Sequence, residues 1–459
     1  MNKVILSVAT AMLLCSCGIY KKYERPAEMV TDSLFGAGYQ TNDTMSIADL
    51  GWRELFTDPY LQTLIDSALV KNTDIKTAAL RTEQAETALK IARLSYIPSF
   101  NFAPEGAVGG FNDFHNVNTG AGWTYTIPVA ASWEIDVFGK KTNTKRQAQA
   151  SADMARDYEQ AVKTGLISGV ATQYYTLLML DEQLKIAEST CAKFKESVRV
   201  LNAMMTAGMA NEVAVAQMEG AWYQVEAAVE DIRKAINELE NSLCVTLCEP
   251  LHKITRGSLA DASFPEDLKT GLPVAILSRR PDVRAAEHNL AAAYYAVNAS
   301  RAELYPSITL SGAAGWTNNL GGTVMNPSGM ILNAAGSLFQ PIFNSRALRG
   351  KVEIAKADQK AAELAFRQTV LEAGAEVNDA LTLYQSSLSK ESWRTKQVES
   401  LSNAVEKTEK LMQYTSTTYL EVLTAQQSLL QAQTSQAQDT YEKITAVINL
   451  YRALGGGQF

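Results

Sequence analysis

The residues of this 459-residue chain with the widest chemistry are its cysteines and histidines. Cys244, Cys248 and His252 follow one another at intervals of four residues, and thiolate and imidazole groups at helical spacing are a ligand set for a metal ion. Pro250 is expected to end the helix before His252, and the surrounding sequence offers no fourth ligand. We therefore predict no metal site, and we interpret these two thiols and that of Cys191 as buried apolar side chains.

The remaining polar motifs do not form a catalytic constellation. The three histidines are expected in a strand connection, a connector and a helix, with no nucleophile beside them: His115, His252 and His288. The motif "RRPD" at 279–282 has the composition of an anion site. We interpret it as a helix start, with Pro281 in the first turn and with Asp282 and Glu287 near the positive end of the helix dipole. The sequence predicts that the chain is not an enzyme and has no cofactor.

The N terminus carries a different thiol chemistry. Lys3 and the apolar run 4–14 have the charge and length of a secretory signal peptide, and the run is too short to span a bilayer. The "LCSC" that follows resembles the lipobox of bacterial lipoproteins, in which the last cysteine receives a diacylglyceryl thioether. We predict cleavage after residue 16 and lipidation of Cys17, which would hold the chain to a membrane. Gly18, in place of Asp, then implies sorting to the outer membrane. A secreted protein with a chance cysteine is the alternative.

Composition narrows the classes of partner. The chain has 42 Lys and Arg residues against 49 Asp and Glu residues, a net charge of −7. A mildly acidic chain lacks the positive surface with which proteins bind nucleic acids. After the signal segment no run approaches the ~18 uninterrupted apolar residues of a transmembrane helix. Neither a nucleic-acid partner nor a membrane-spanning helix is predicted.

The two halves of the chain are similar to each other. "ARLSYIPSFNFAPEGAVGG" from residue 92 is similar to "SRAELYPSITLSGAAGW" from residue 300, and "GMANEVAVAQ" from residue 208 is similar to "TTYLEVLTAQ" from residue 417. Similarity at a constant offset indicates an ancient tandem duplication. We therefore divide the chain into a signal peptide (1–16), a first repeat (17–250) and a second repeat (251–459).

Each repeat has two stretches in which apolar and polar residues alternate, the pattern of a strand with one apolar face. These predicted strands cover about 98–111, 122–137, 306–317 and 331–343. Apolar faces with aromatic residues near the strand ends suit a soluble sheet or a membrane β-barrel. Four strands cannot close a barrel that contains a pore, so a barrel would need strands from several copies of the chain.

The rest of the chain is predicted to be helical, with two unusually long helices. Residues 139–206 and 345–415 contain no proline, and at ~1.5 Å per residue each would be about 100 Å long. Shorter partners are predicted at 211–249 and 419–454. Small and polar residues dominate and leave a narrow apolar stripe, so these helices must pack side by side. A rod-like coiled coil is the alternative, and it leaves the strands unexplained.

Three motifs resemble the TolC/OprM family of outer-membrane efflux proteins, in its acylated OprM-like (NodT-type) branch. They are "GWRELFTDPYLQTLIDSAL" from residue 51, "GLPVAILSRRPDVRAAE" from residue 271 and "YRALGGG" from residue 451. The resemblance covers nearly all of the mature chain. It implies a mainly α fold with membrane β-structure. In it, a homotrimer closes a twelve-stranded outer-membrane β-barrel, with four strands per chain, continued by a long periplasmic α-helical barrel. An equatorial belt is expected from residues of about 18–60, 250–275 and the C terminus.

The resemblance also implies a function and partners. The protein is expected to be the outer-membrane exit duct of a tripartite efflux system, extending into the periplasm from a periplasmic-side lipid anchor. A periplasmic adaptor and an RND-type inner-membrane pump would deliver drugs or other small toxic solutes to it. Heavy-metal efflux and a TolC-like secretion duct remain alternatives. A structural periplasmic coiled-coil lipoprotein is the alternative of a different class.

The family's narrow ring lies at the start of its last helix, which "YLEVLTAQQ" from residue 419 resembles. Leu420, Thr424 and Gln427 have the spacing of one helix stripe, and they are expected to form the periplasmic gate, with Glu421 as the nearest acid. The family commonly has Asp at the position of Thr424 and Arg at that of Gln427, and both charges are absent here. An acidic ring of three residues at Thr424 is therefore excluded.

A latch is expected beside this gate. A tyrosine at the position of Tyr414 closes the tip in the family by contact with the neighbouring turn. Here Asn211 or Glu212 would accept its hydrogen bond, and ordinary packing of Tyr414 is the alternative. The first repeat has Gly208 in its turn, whereas the second repeat has no glycine at the corresponding place.

Overall fold

The structure is a computed structural model, which describes residues 20–26, 51–109, 122–262, 264, 279–317, 329–413 and 418–456. The predicted lipid site Cys17, the loop histidine His115 and the predicted latch residue Tyr414 lie outside the described residues. Among the described residues, no helix is both long enough and apolar enough to cross a membrane.

The described part of the first repeat contains three helices, three strands and two further helices. They are α1 (Trp52–Leu55), α2 (Pro59–Lys71), α3 (Thr73–Leu94), β1 (Ser99–Phe102), β2 (Glu105–Gly109), β3 (Gly122–Ile135), α4 (Lys140–Thr206) and α5 (Glu212–Leu247). The described part of the second repeat contains a short 3₁₀ helix and then five elements in a similar order. They are the 3₁₀ helix (Leu259–Asp261), α6 (Pro281–Ala302), β4 (Ser307–Thr317), β5 (Met330–Phe339), α7 (Ala347–Gln413) and α8 (Tyr419–Ala453).

The long helices have the lengths that the sequence predicts. Helices α4 and α7 each contain 67 residues, and neither contains a proline that would remove a hydrogen bond or clash with the preceding turn. Their partners α5 and α8 have 36 and 35 residues. Each repeat therefore has one long helix followed by a helix of about half that length.

The strands form one antiparallel sheet in the order β1-β3-β4-β5, with β2 also paired to β3. The first predicted strand, at 98–111, is therefore two strands. Pro104 lies between them, and it has no N–H group to donate to the ladder. The last predicted strand, at 331–343, ends earlier, at Phe339, two residues before Pro341.

The strand register places the apolar residues on one face. Val129 lies opposite both Phe102 and Ala314, and Ala314 lies opposite Leu332. Directly opposed residues point to the same side of a sheet. The other rows of this apolar face are Phe100-Ala131-Gly312-Ala334, Ile127-Trp316-Met330, Trp133-Leu310-Gly336 and Ile135-Ile308-Leu338. The other face carries the polar rows Glu134-Thr309-Ser337 and Ser132-Ser311-Ala335.

The apolar face is uncovered in the single chain. Leu332 is 79% exposed and Phe100 is 71% exposed. A continuous apolar surface of this kind marks contact with another protein or with a membrane. The apolar face is therefore the side of the sheet that a membrane or another protein would cover.

The chain divides into two compact units. Unit 1 comprises Met1–Ala27, Arg81–Arg156 and Ala285–Arg367, and its described part contains the sheet. It also contains a short N-terminal segment, residues 20–26, which we call the strap. The Tyr23 N–H donates to the Tyr295 hydroxyl at 3.2 Å, the Tyr294 hydroxyl donates to the Lys21 carbonyl at 3.2 Å, and Arg25 pairs with Glu287.

Unit 2 comprises Glu28–Leu80, Asp157–Arg284 and Gln368–Phe459. One of its apolar clusters joins α4, α5, α7 and α8, with Phe194, Leu201, Met218, Met412 and Val422 among the buried members. Elsewhere in the unit the rings of Phe56 and Tyr451 pack edge to face at 5.8 Å. Small side chains between these large ones allow the helices to pack along their lengths.

Candidate functional site

The turn of the first repeat is closed at both ends. Gly208 follows α4 with φ +74°, a backbone conformation that side chains bearing a Cβ disfavour. The Gly208 N–H donates to the Met205 carbonyl at 3.0 Å, and the Met209 N–H donates to the Met204 carbonyl at 2.8 Å. This pattern is the Schellman motif, which satisfies the last carbonyl groups of a helix. The α4 end of the turn is therefore fixed by its backbone.

The other end of this turn is capped by Asn211. Its side-chain oxygen accepts a hydrogen bond from the Ala214 N–H at 2.9 Å, as a helix N-cap does. Glu212 follows in the first turn of α5 and is exposed. Both predicted latch acceptors thus lie at the helix start, and one lone pair of the Asn211 oxygen is already used by the cap.

The turn of the second repeat is built differently where the structure describes it. Thr418 occupies the N-cap of α8, but its side chain makes no capping hydrogen bond. Glu421 lies in the first turn of α8 and is exposed, where a negative charge favours the helix dipole. The Tyr419 hydroxyl donates to the Gln217 side-chain oxygen at 2.9 Å and so connects the starts of α8 and α5.

The predicted gate residues share one exposed stripe of α8. Leu420 is 53% exposed, and Thr424 and Gln427 are also exposed. The Thr424 hydroxyl donates to the Leu420 carbonyl at 2.8 Å, within the helix. The stripe therefore presents an apolar side chain, a threonine whose hydroxyl is engaged, and an amide.

The opposite side of α8 is buried. Val422 and Leu423 belong to the apolar cluster of unit 2, and the Gln426 side chain is almost fully buried. The Gln426 amide donates to the Glu409 carboxylate at 2.9 Å and lies 3.4 Å from the Ser197 hydroxyl. Burial of one side leaves the gate stripe as the side that another chain or a pore can contact.

The sequence analysis did not identify Gln426 or its contacts. A glutamine beside other glutamines has no signal that separates a buried side chain from a solvated one. Its partners on α4 and α7 are 229 and 17 residues away along the chain. Only the packing of three helices brings them together.

The cysteines are partly as predicted. Cys191 and Cys244 are buried, but Cys248 is exposed, so the prediction of a buried thiol there is wrong. The reason is its place at the end of α5, where Cys248 has φ +54° and its sulfur lies 3.4 Å from the Thr73 hydroxyl. The Cys244 sulfur lies 3.6 Å from His252 Nδ1. Among the described residues no group of His, Cys, Asp and Glu has the arrangement of a metal site.

The surroundings of Cys191 favour the protonated form of its thiol. Its thiol lies 3.1 Å from the Glu226 carboxylate and accepts from the Trp222 indole N–H at 3.2 Å. Burial, together with the Glu226 charge, raises the pKa of the Cys191 thiol. A protonated buried thiol is a weak nucleophile, so this cysteine is a packing residue.

The motif "RRPD" is a structural junction. Pro281 begins α6, and the buried Arg280 donates to the Ala453 carbonyl at 3.0 Å, at the end of α8. Arg280 also pairs with Asp282 at 2.6 Å and Glu376 at 2.8 Å. The prediction of a helix start agrees with this geometry, and the bond from Arg280 to the end of α8 was not predicted.

A second polar junction lies in the same unit. The Tyr174 hydroxyl donates to the Asp58 carboxylate at 2.5 Å and accepts from the Gly257 N–H at 3.1 Å. Burial raises the pKa of Tyr174. Asp58 also accepts from the Tyr60 N–H at 2.8 Å, as the N-cap of α2. Asp58 of the opening motif therefore caps α2 and connects it to α4 through Tyr174.

Comparison with known proteins identifies the relatives of this architecture. Residues 64–247 and 272–456 each match the model of the outer membrane efflux protein family, which agrees with the duplication. Cation efflux system protein CusC of Escherichia coli O6:H1 is 29% identical over 461 residues, covering 99% of this chain and 98% of that protein. Toluene efflux pump outer membrane protein TtgC of Pseudomonas putida is 27% identical over 476 residues, covering 100% and 96%.

A solved structure is similar over the same length. The chain matches a crystal structure of CusC, from work on folding and transmembrane channel formation, with a TM-score of 0.86 and 28% identity. The match covers 96% of this chain and 100% of that one. The predicted fold class, mainly helical with a β-section in each of two repeats, is confirmed.

Proposed function

Because the chain belongs to the outer membrane efflux protein family, we propose that it is the outer-membrane exit duct of a tripartite efflux system. Proteins of this family are outer-membrane transport channels and not enzymes. The chain is accordingly an outer-membrane efflux protein, and the resemblance seen in its sequence motifs is confirmed. A periplasmic adaptor and an RND-type inner-membrane pump are the proposed partners, and a homotrimer is the proposed assembly.

The uncovered apolar face of the sheet carries the proposal. Its apolar rows run across three strands, as the lipid-facing side of a membrane barrel requires. Among the described strands β5 pairs only with β4, so its outer edge is open to a neighbour. Three copies would join such edges and leave no exposed backbone groups in the bilayer. Counting β1 and β2 as one position, each copy contributes four strands to a twelve-stranded barrel.

The substrate class is drugs or other small toxic solutes, passively conducted. Metal-cation efflux is a second candidate, favoured by the 29% identity with a cation efflux protein over 99% of the chain. Cells that lack this protein are expected to become sensitive to organic drugs under the first proposal and to heavy-metal salts under the second. Restoring the chain should restore resistance to that same class of compound.

We propose a gate formed by Leu420, Thr424 and Gln427, with Glu421 beside it. Support comes from their shared exposed stripe and from the burial of the opposite side of α8. In a trimer each becomes a ring of three. The ring of Leu420 would be the apolar barrier to wetting of the pore, and Tyr414, with Asn211 or Glu212, would hold the tip closed.

Single-channel recording tests the duct and the gate together. The purified trimer is expected to conduct in a planar bilayer with small or rare openings, and Leu420→Ser to raise the open fraction because it removes the apolar ring. Val213→Ser is the matched control, since Val213 is an equally exposed apolar residue at the start of α5. Absence of any conductance would refute the duct, and equal effects of the two variants would refute the gate.

We further propose that Cys17 carries the lipid and that no other cofactor is required. Labelled palmitate is expected to enter the wild-type chain and the Cys15→Ala variant. Cys17→Ala should take up no label, because the thioether needs its thiol. Labelling of Cys17→Ala would show that the lipid is attached elsewhere, and no label on the wild type would show that the chain is not a lipoprotein.

A further inference from the structure

We propose that the end of the sheet at which the strands connect to the helices binds the phosphate groups of anionic phospholipids. This inference rests on the proposed function, since it assumes that the sheet lies in the outer membrane. It adds a lipid-binding surface at the periplasmic leaflet. All the residues concerned belong to unit 1.

The strand register defines this end of the sheet. Ser99 at the start of β1 pairs with Ser132 near the end of β3, and Ile135 at the end of β3 pairs with Ile308 near the start of β4. Ser307 pairs with Phe339, the last residue of β5. Helices α3, α4, α6 and α7 are therefore all connected to the same row of strand ends. We call this row of strand ends the helical edge.

The helical edge is strongly basic in a chain of net charge −7. The connecting residues 89–98, 136–146, 297–306 and 340–351 contain only two carboxylates, Asp136 and Glu303. They contain ten basic residues: Lys90, Arg93, Lys140, Lys141, Lys145, Arg146, Arg301, Arg346, Arg349 and Lys351. The sequences between the opposite strand ends, 110–121 and 318–329, contain no Lys or Arg. The charge is thus placed on one side of the sheet.

The two long helices begin with the wrong charge for their dipoles. Helices α4 and α7 have no acidic residue in their first turns, whereas α5, α6 and α8 begin with Glu212, Asp282 and Glu421. Cations at a helix N-terminus are disfavoured. Asp136 compensates α4 by accepting from the Lys141 N–H at 2.9 Å, but residues 340–351 hold no carboxylate to do so for α7. An external anion would favour both the cations and the helix start.

The strap lies at this edge, and in the sequence it follows the proposed lipid anchor Cys17. The ring of Tyr20 lies 3.5 Å from the position that a Cβ on Gly139 would occupy, just before α4. Cys17 precedes Tyr20 by three residues, which a fully extended chain spans in at most about 11 Å from Cα to Cα. Acyl chains on Cys17 would then enter the bilayer beside the helical edge. Lys21 and Lys22 would follow at the level of the headgroups.

Several cations at the helical edge and in the strap make no ion pair with any residue that the structure describes. Lys351 pairs with Glu303 at 3.1 Å, and Lys140 lies 3.8 Å from Glu134. By contrast, the exposed cations without such a pair include Lys21, Lys22, Arg346 and Arg349. Basic side chains next to a bilayer attract anionic headgroups, and the attraction falls off within a Debye length. These four are the residues to test.

The experiment measures which lipids contact the protein. The full-length lipoprotein is reconstituted in phosphatidylcholine vesicles that contain a trace of spin-labelled phosphatidylglycerol or spin-labelled phosphatidylcholine. The motionally restricted component of the spectrum gives the association constant of each label with the protein surface. We expect the wild type to prefer phosphatidylglycerol by about threefold or more at low salt, and the preference to vanish near 1 M salt.

Two variants make the result specific. The variant with Lys21→Gln, Lys22→Gln, Arg346→Gln and Arg349→Gln is expected to lose most of the preference. A control with four exposed lysines of unit 2 changed to Gln, at Lys185, Lys234, Lys396 and Lys407, should retain it. Equal association of both labels with the wild type, or a preference that survives the first variant or high salt, would overturn this inference alone. No restricted component with either label would overturn the membrane position of the sheet, and this inference with it.

Discussion

Helices α5 and α8 begin with matching sequences but bury different side chains. The alignment of Glu212 with Glu421 places Val215 opposite Thr424 and Met218 opposite Gln427. Val215 and Met218 are buried in the apolar cluster of unit 2, whereas Thr424 and Gln427 are exposed. Equivalent positions of the duplicated sequence thus point in different directions.

The difference assigns distinct roles to the two turns. The first is fixed by the Schellman motif at Gly208 and by the Asn211 cap, and its helix turns an apolar stripe into the core. The second has no side-chain cap at Thr418, and its helix exposes the stripe of Leu420, Thr424 and Gln427. A gate needs a part that stays and a part that moves. In the proposed gate, the first repeat would supply the fixed part and the second repeat the moving part.

The largest test of this comparison places the same charge at the two matched positions. Val215→Asp should destabilise the protein by roughly 3–5 kcal/mol, because it buries an unpaired carboxylate. Thr424→Asp should change stability by only about 0.5 kcal/mol, and it should raise the cation preference of the channel in a salt-sensitive way. The thermal unfolding midpoint of each trimer and the reversal potential of Thr424→Asp in a salt gradient measure these effects.

Val215→Thr separates charge from volume, since it keeps the shape of valine and should cost far less than Val215→Asp. Similar losses for aspartate at the two positions would show that Thr424 is buried in the assembled trimer. An unchanged reversal potential in Thr424→Asp would show that this residue does not face the pore.

The second test concerns the backbone of the first turn. Gly208→Ala should destabilise the protein by about 1–2 kcal/mol, because a residue with a Cβ pays that much in the left-handed conformation. Gly220→Ala is the matched control. Gly220 lies inside α5 with no atom within 4 Å of an added Cβ, so the same change should stabilise by about 0.5–1 kcal/mol. The two variants are expected to shift the unfolding midpoint in opposite directions. Equal shifts would show that Gly208 does not fix the turn.

Much of the fold could be predicted because its signals are local. The absence of proline over long segments and the narrow apolar stripe predict α4 and α7, and alternation predicts the strands and their faces. The break between β1 and β2 was missed although Pro104 marks it, because alternation continues on both sides. The exposure of Cys248 was missed because a helix end reverses the direction of a side chain that the helical pattern would bury.

The candidate site was less accessible to sequence reasoning. The gate stripe follows from spacing and resemblance, but the burial of Gln426 depends on Ser197 and Glu409, which come from two other helices. The strap depends on two contacts whose residues are separated by 272 and 273 positions in the sequence. No periodic pattern encodes such contacts. They arise only when the two repeats and the N-terminal segment pack together.

The smallest test compares the two helix caps. Asn211→Ala should cost about 1 kcal/mol, because the Ala214 N–H loses its hydrogen bond. Thr418→Ala should cost close to nothing, since the threonine side chain caps no amide of α8. Hydrogen exchange resolves the two ends: the first turn of α5 should exchange faster in Asn211→Ala, while the first turn of α8 should exchange equally in Thr418→Ala and the wild type. Asn211→Ser keeps a capping oxygen and should restore most of the protection. If Thr418→Ala instead loosened α8 as much as Asn211→Ala loosens α5, the second turn would be capped in the trimer, and the two turns would no longer differ in the way that separates a fixed part of the gate from a moving one.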